Sequence, residues 1–183
     1  MLYIIRHGQT DWNALKKLQG RVDVPLNEKG REMARQARDE YKNVHFDICY
    51  CSPLKRARET AEILLSGRDV PIITDDRLRE MSFGIYEGIR NSFDNAESEI
   101  NTLFFTPEKY TSPVEDGESL DELFARTGEF LKTVVEPQLE NGKDVLIVGH
   151  GAMNSSIVCR IKELPIKDFW SAGIENCKLM RLL

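Results

Sequence analysis

Histidine is scarce in this chain, with three among 183 residues, and the four cysteines, Cys49, Cys51, Cys159 and Cys177, contain no C-x-x-C pair. That pattern points away from a zinc knuckle and from a disulfide framework and leaves reduced core thiols as the reading. No apolar run approaches the roughly 20 residues that a membrane-spanning helix needs, and no basic leader followed by a long apolar stretch opens the sequence. The expectation is a cytoplasmic protein. Positive charge is not in excess either: 25 Lys and Arg stand against 30 Asp and Glu, for a net charge of −5. A surface built to meet nucleic acid or an anionic membrane is therefore not expected, although a local basic site is compatible with that balance. Internal repeats and low-complexity tracts are also lacking.

What remains is an ordinary globular composition, 41% apolar and 30% charged, in a chain of a length that builds one core; residues 1–183 are expected to form one domain. LYIIR (2–6), FDICYCS (46–52), VPIIT (70–74) and DVLIVG (144–149) read as strands, with a last strand near 177–182. Between them lie helical patterns: 27–42 with Met33, Ala34 and Ala37 as an apolar stripe, and the segment after Ser52, where Ser52 is the expected N-cap and Pro53 the first helical residue. Further patterns run from Ser119 toward Pro137 and over about 152–162. Residues 89–116 break the rhythm and read as a partly helical insertion. Strands alternating with helices predict an α/β fold, a three-layer α/β/α sandwich around a largely parallel sheet, with ligands bound beyond the carboxyl ends of the strands.

That rule makes the strand ends informative. Two of the three histidines, His7 and His150, each follow an apolar strand and precede a glycine, in LYIIRHG and DVLIVGHG. His45, in NVHFD, reads as a surface or edge residue. The strand FDICYC delivers Arg56 on the first turn of the next helix, at the edge where Arg6 and His7 emerge. Singly, each arginine would be a solvated surface charge. Together they shape a site for a tetrahedral oxyanion, because guanidinium forks match phosphate oxygens. Two arginines beside a divalent ion would be repelled, at roughly 3 kcal/mol per pair of unit charges about 5 Å apart in an effective dielectric near 20, so an anion is favoured over a metal. A neutral imidazole supplies a nucleophile for phosphorus. A departing alkoxide needs a proton, and LREMSFGIYEG offers Glu80 and Glu87, between which spacing does not choose.

Taken in order, RHGQTDWN, LQGRVDVPLNEKG, CSPLKRARETA, LREMSFGIYEG, GES at 117–119 and VGHGA resemble the histidine phosphatase superfamily, in its phosphoglycerate-mutase-like branch, over nearly the whole chain. The resemblance implies His7 as the phosphorylated nucleophile, Arg6, Arg56 and His150 as the phosphoryl pocket, and Glu80 as general acid. It further implies Asn13 as a phosphate contact, Gln19 and Gly20 at the substrate entrance, and, more weakly, Thr10 and the backbone at Gly151. On local grounds Asn13 reads as a turn or N-cap residue and Thr10 as a hydroxyl cap. Gly8 is read as the bend that leaves the imidazole accessible at the sheet edge. No metal or organic cofactor is required, and the implied partner is a small phosphorylated metabolite.

The resemblance leaves phosphatase and mutase open. A bisphosphoglycerate-dependent mutase must retain a doubly charged intermediate, yet between residues 89 and 116 only Arg90 and Lys109 are cationic, against Asp94, Glu97, Glu99, Glu108, Glu115 and Asp116. The expectation is a phosphatase, with a mutase second and a non-catalytic phosphoanion-binding module third. The aromatic residues of the insertion, Phe93, Phe104, Phe105 and Tyr110, are read either as a lid over an apolar or sugar-like leaving group or, preferably, as packing. Trp170 is read as packing too, and Trp12 adjoins the first motif.

Overall fold

A computed structural model describes residues 1–90, 98–111 and 113–183. Five strands, β1 (Leu2–Arg6), β2 (Ile48–Cys51), β3 (Ile72–Thr74), β4 (Val145–Gly149) and β5 (Leu179–Arg181), form a sheet of order β3-β2-β4-β1-β5. The first four are mutually parallel, and β5 runs antiparallel to β1 along the edge. Side chains alternate across the sheet, as strand geometry dictates. Ile4, Ile48, Tyr50, Val145 and Ile147 face one core, while Ile5, Cys49, Cys51, Leu146 and Val148 face the other. The first core is closed by α5 (Leu120–Phe130) and α7 (Gly151–Ile161), the second by α2 (Glu28–Glu40) and α3 (Lys55–Leu64). Helices on both faces of a mostly parallel sheet explain why β2 and β4 are apolar at every position. This is the three-layer α/β/α arrangement expected from the alternation of elements. All four cysteines are buried free thiols, and no helix among the described residues is long and apolar enough to cross a membrane.

Two local expectations are corrected. Ser52 and Pro53 do not begin α3: the helix starts at Lys55, and the Ser52 hydroxyl instead accepts from the Leu54 N–H at 3.3 Å. The first helical N–H, that of Lys55, donates 2.7 Å to the Asp23 carboxylate, a tertiary cap that no local pattern encodes. The helical run that begins at Leu120 reaches Pro137 as its spacing predicts and passes beyond it. The chain widens into a π-helical turn over Leu131–Val135 and continues as α6 (Glu136–Glu140), the wide turn accommodating a residue that has no N–H to donate. A short helix, α1 (Asp11–Ala14), lies within the first motif, opened by a capping box between Thr10 and Asn13. Within the insertion, α4 (Glu99–Phe105) and a 3₁₀ turn at Pro107–Lys109 supply the helical part. Phe93 lies outside the described residues.

Gly8 carries no positive φ, so its role is close approach and not a free bend. A Cβ there would lie 2.4 Å from the Gly30 carbonyl oxygen, and a Cβ on Gly30 would lie 2.0 Å from that of Gln9. The two glycines let the first turn of α2 rest directly on the loop after β1, where Asn27 caps Gly30 N–H at 2.8 Å and takes the Gln9 carbonyl with its own N–H at 3.1 Å. Gly30→Ala is expected to cost about 2–3 kcal/mol through backbone displacement, read as a lowered urea midpoint at unchanged slope.

Candidate active site

Register brings the two histidines together. In the β1/β4 pair Arg6 lies opposite Gly149, and the His7 N–H donates to the Gly149 carbonyl at 3.0 Å, so His7 and His150 leave the sheet side by side. Their ring centroids are 5.1 Å apart at 60°. On the other side of β4, β2 pairs Cys51 with Val148, and the Ser52 N–H donates to the Val148 carbonyl, which carries the chain to Arg56 at the start of α3. Three parallel strand ends thus converge on one cleft.

The cleft is a cavity of about 180 Å³ whose walls include Arg6, His7, Asn13, Gln19, Gly20, Arg56, Glu80 and Gly151. Two residues of the expected set stand behind this wall. His150 is fully buried against His7. Thr10 is fully buried as well, and its hydroxyl is engaged with Asn13 Oδ1 at 3.1 Å and Gln19 Oε1 at 2.7 Å. Thr10 therefore orients two wall residues instead of forming the wall, and its reading as a local cap holds alongside.

His7 is only 2% exposed, so it is not presented openly at the sheet edge; it forms part of the cavity wall. Its Nδ1 lies 2.6 Å from the Gly8 carbonyl oxygen. A carbonyl accepts only, so Nδ1 carries the ring proton and Nε2 keeps its lone pair. The imidazolium is disfavoured first by burial, then by Arg56 and Arg6, and the pKa lies well below 6.5. Burial is thus the larger cause and the arginines the lesser. His150 is lowered well below 6.5 for the same reasons, with burial again first, and among the described residues neither of its ring nitrogens has a partner.

The arginines are tied on one side and open on the other. Arg56 donates Nη1 to Val22 O at 2.8 Å and Nη2 to Gly20 O at 2.7 Å, which binds to α3 the loop of residues 19–22, called the entrance loop for the role expected of Gln19 and Gly20, and burial lowers its pKa to about 10. Arg6 donates Nη1 to Ile174 O at 3.1 Å. The Nε atoms of both are buried without a partner among the described residues, two donors available to an oxyanion.

The two candidate carboxylates separate cleanly. Glu80 lines the cavity and accepts from the N–H groups of Met81 at 2.9 Å, Ala152 at 3.2 Å and Met153 at 3.0 Å, the last two being orphan donors at the start of α7. Glu87 is a clamp: it accepts from the N–H groups of Arg21 at 3.0 Å, Val22 at 3.2 Å and Phe83 at 3.0 Å, joining the entrance loop to the turn that follows Glu80. Gly20, at φ +52°, is where the entrance loop passes over Glu87.

Several contributors escaped sequence reasoning. Glu118 of the GES segment is buried and bridged by Arg126 at 2.6 Å and Arg21 at 3.2 Å; Arg126 also donates to the Arg79 carbonyl at 2.8 Å, and Arg21 to that of Glu80 at 3.4 Å. Asn176 donates 2.6 Å to the His7 carbonyl from the far end of the chain, and Thr60 accepts the Gly8 N–H at 3.0 Å. Trp170 and Phe104 line the cavity together with Lys17, Leu18 and Phe83. Trp170 is marked by no motif or periodicity, and its reading as a packing residue is incomplete. Tyr110 is buried, its hydroxyl accepting from Val114 N–H at 3.1 Å, and Phe105 is exposed. Away from the cleft, His45, Asp47 and Asp144 bring potential ligand atoms within 4.8 Å of one another on an exposed edge, with the N-terminal ammonium 2.9 Å from Asp144.

The family model for the histidine phosphatase superfamily (branch 1) matches residues 2–183. The chain belongs to that superfamily. Over 170 residues, 92% of this chain and 80% of the relative, it is 32% identical to a 2,3-bisphosphoglycerate-dependent phosphoglycerate mutase of Cytophaga hutchinsonii. It superposes on Bacillus stearothermophilus YhfR with a TM-score of 0.86 at 32% identity, covering 97% of this chain and 88% of the other. On the alpha-ribazole phosphatase of Shigella flexneri the TM-score is 0.81 at 26% identity, covering 97% and 87%. A histidine phosphatase with relatives of both kinds is an enzyme of phosphoryl transfer or hydrolysis.

The buried neutral histidines set a pH signature. Their folded pKa values lie below the unfolded value near 6.5, so between the two the unfolded chain binds more protons and stability rises with pH. Stability is therefore fully present above about pH 6.5 and is lost as pH falls below it, by up to about 1.4 kcal/mol per pH unit for each histidine. Urea unfolding between pH 7.5 and pH 5 is expected to show a shallower decline in His7→Asn and His150→Asn than in the parent.

Proposed function

We propose that the protein is a metal-independent phosphatase that hydrolyses phosphate monoesters of small metabolites through a phosphohistidine on His7. The observation that carries this reading is the neutral His7 ring, with Nδ1–H held by the Gly8 carbonyl, beside the Nε donors of Arg6 and Arg56, which have no partner among the described residues. In the first step the Nε2 lone pair attacks phosphorus in line with the ester oxygen, the P–O bond breaks, and Glu80 gives its proton to the departing alkoxide. Arg6 and Arg56 hold the equatorial oxygens as charge shifts onto them, with His150 neutral and packed against His7 behind the wall and with Asn13 and the Gly151 backbone at the rim. In the second step Glu80 takes a proton from water as the water oxygen attacks phosphorus. The P–N bond breaks, releasing inorganic phosphate and returning His7 to its neutral form. Asn13 Oδ1 is engaged by the N–H and hydroxyl of Thr10, so the amide N–H₂ is the end that remains to donate to a ligand. Gln19 and Gly20 form the entrance.

Hydrolysis is favoured over mutase chemistry by the outer part of the cavity. Beyond Arg6 and Arg56 the wall carries, among the described residues, one further cation, Lys17, whose ammonium sits 5.7 Å from the Trp12 ring centroid; Leu18, Phe83, Phe104 and Trp170 supply apolar surface. A second phosphate and a carboxylate would find little charge there.

His7→Ala is expected to lower phosphate release at least ~10⁴-fold, and Glu80→Gln ~10²–10⁴-fold with an alcohol leaving group. Rapid quench should trap a phosphoenzyme labile in acid and stable in base, absent from His7→Ala. Supplied with 2,3-bisphosphoglycerate, the enzyme should release free phosphate from esters faster than it interconverts 2- and 3-phosphoglycerate; the opposite order would establish the mutase. Activity lost to a chelator and restored by zinc or manganese would overturn the mechanism.

A further inference from the structure

The outer wall of the cavity is an aromatic panel. Phe104 and Trp170 stack with centroids 5.3 Å apart at 21°, Phe83 meets Phe104 at 6.0 Å, and Phe169 braces Trp170 edge to face at 4.7 Å. The single polar atom of the Trp170 side chain, Nε1, donates to the Leu103 carbonyl at 2.8 Å. Trp170 is thereby locked to α4 with its hydrogen-bonding need met, and what it offers the cavity is hydrocarbon. Phe104 and Trp170 line the cavity and are half-buried, so each retains exposed surface.

We infer that Trp170 and Phe104, with Phe83 and Leu18, form the leaving-group wall of the site and select phosphate monoesters of flat, apolar, uncharged alcohols or phenols. This rests on the phosphatase reading and adds to it the class of ester. An apolar ring bonded to the ester oxygen loses its water against this wall without leaving a polar group unpaired. A leaving group bearing a carboxylate would be desolvated beside the same surface and against the negative faces of its rings, with Lys17 the one lining cation beyond the phosphoryl pocket among the described residues, drawn toward Trp12. Trp170 comes from the segment between α7 and β5, which also anchors Arg6 through the Ile174 carbonyl and His7 through Asn176, and Phe104 comes from α4, so the wall joins two stretches of chain that are distant in sequence.

The test is the specificity ratio of the full-length enzyme, kcat/KM for 1-naphthyl phosphate over that for O-phosphoserine, in the parent, Trp170→Ala, Phe104→Ala and Trp170→Phe. The expected parent ratio exceeds ~10; Trp170→Ala lowers it ~10-fold, about 1.4 kcal/mol of transition-state discrimination, Phe104→Ala lowers it in the same direction, and Trp170→Phe restores most of it. A parent ratio below 1, or a ratio unmoved in Trp170→Ala because both substrates suffer equally, would overturn the proposal. Calorimetric binding of 1-naphthyl phosphate to His7→Ala, with and without Trp170→Ala, separates the two readings. If the parent releases no phosphate from any ester while this binding is weakened ~10-fold by Trp170→Ala, the phosphatase reading fails and the wall stands; if binding is indifferent to Trp170, the wall fails.

Discussion

A 2.6 Å contact between the ring of His7 and the carbonyl of the next residue sets the chemistry of the site. It assigns the proton to Nδ1 and so leaves the lone pair on Nε2, the nitrogen that the proposed mechanism brings to phosphorus. The contact works because the ring is buried and neutral; in water the same histidine would exchange tautomers and titrate near neutrality. Everything around it serves to hold that backbone still. The β1/β4 register fixes the His7 N–H, Asn176 fixes its carbonyl, Thr60 fixes the Gly8 N–H, and the Gly8–Gly30 approach presses α2 against the loop.

Charged groups at the cleft also serve as fold anchors. Arg56 fastens the entrance loop through two carbonyls, Glu80 caps α7, and Glu87 staples the entrance loop to the turn after Glu80. Behind them Arg126, half-buried and paired with the buried Glu118, reaches the carbonyls of the segment leading to Glu80. A carboxylate or guanidinium that meets several backbone groups has few alternative rotamers, which keeps an anion site organised before its ligand arrives. The cost is that removing any of these groups disturbs loop geometry as well as charge, so stability and activity need separate measurement.

Legibility in the sequence tracked how local the physics is. The strands were readable because β1, β2 and β4 are unbroken apolar runs, and the layer order followed from their alternation with helices. His7, His150, Arg6 and Arg56 were readable because each sits at a fixed offset from a strand end. Glu80 and Glu87 were not separable by spacing, since what distinguishes them is which backbone N–H groups they meet in three dimensions. The start of α3 was misplaced for a similar reason: the cap is Asp23, far back in sequence. Trp170 was invisible as a wall residue, because a tryptophan in a connecting segment shows its role only when Phe104 arrives beside it from α4.

The most direct measurement of the central claim is the tautomer and charge of His7, read from long-range ¹H–¹⁵N correlations of its ring in the resting enzyme at pH 7. A neutral ring with the proton on Nδ1 and an unprotonated Nε2, titrating well below the ordinary histidine value, is the predicted result. A charged imidazolium at that pH, or a neutral ring with its proton on Nε2, would contradict it.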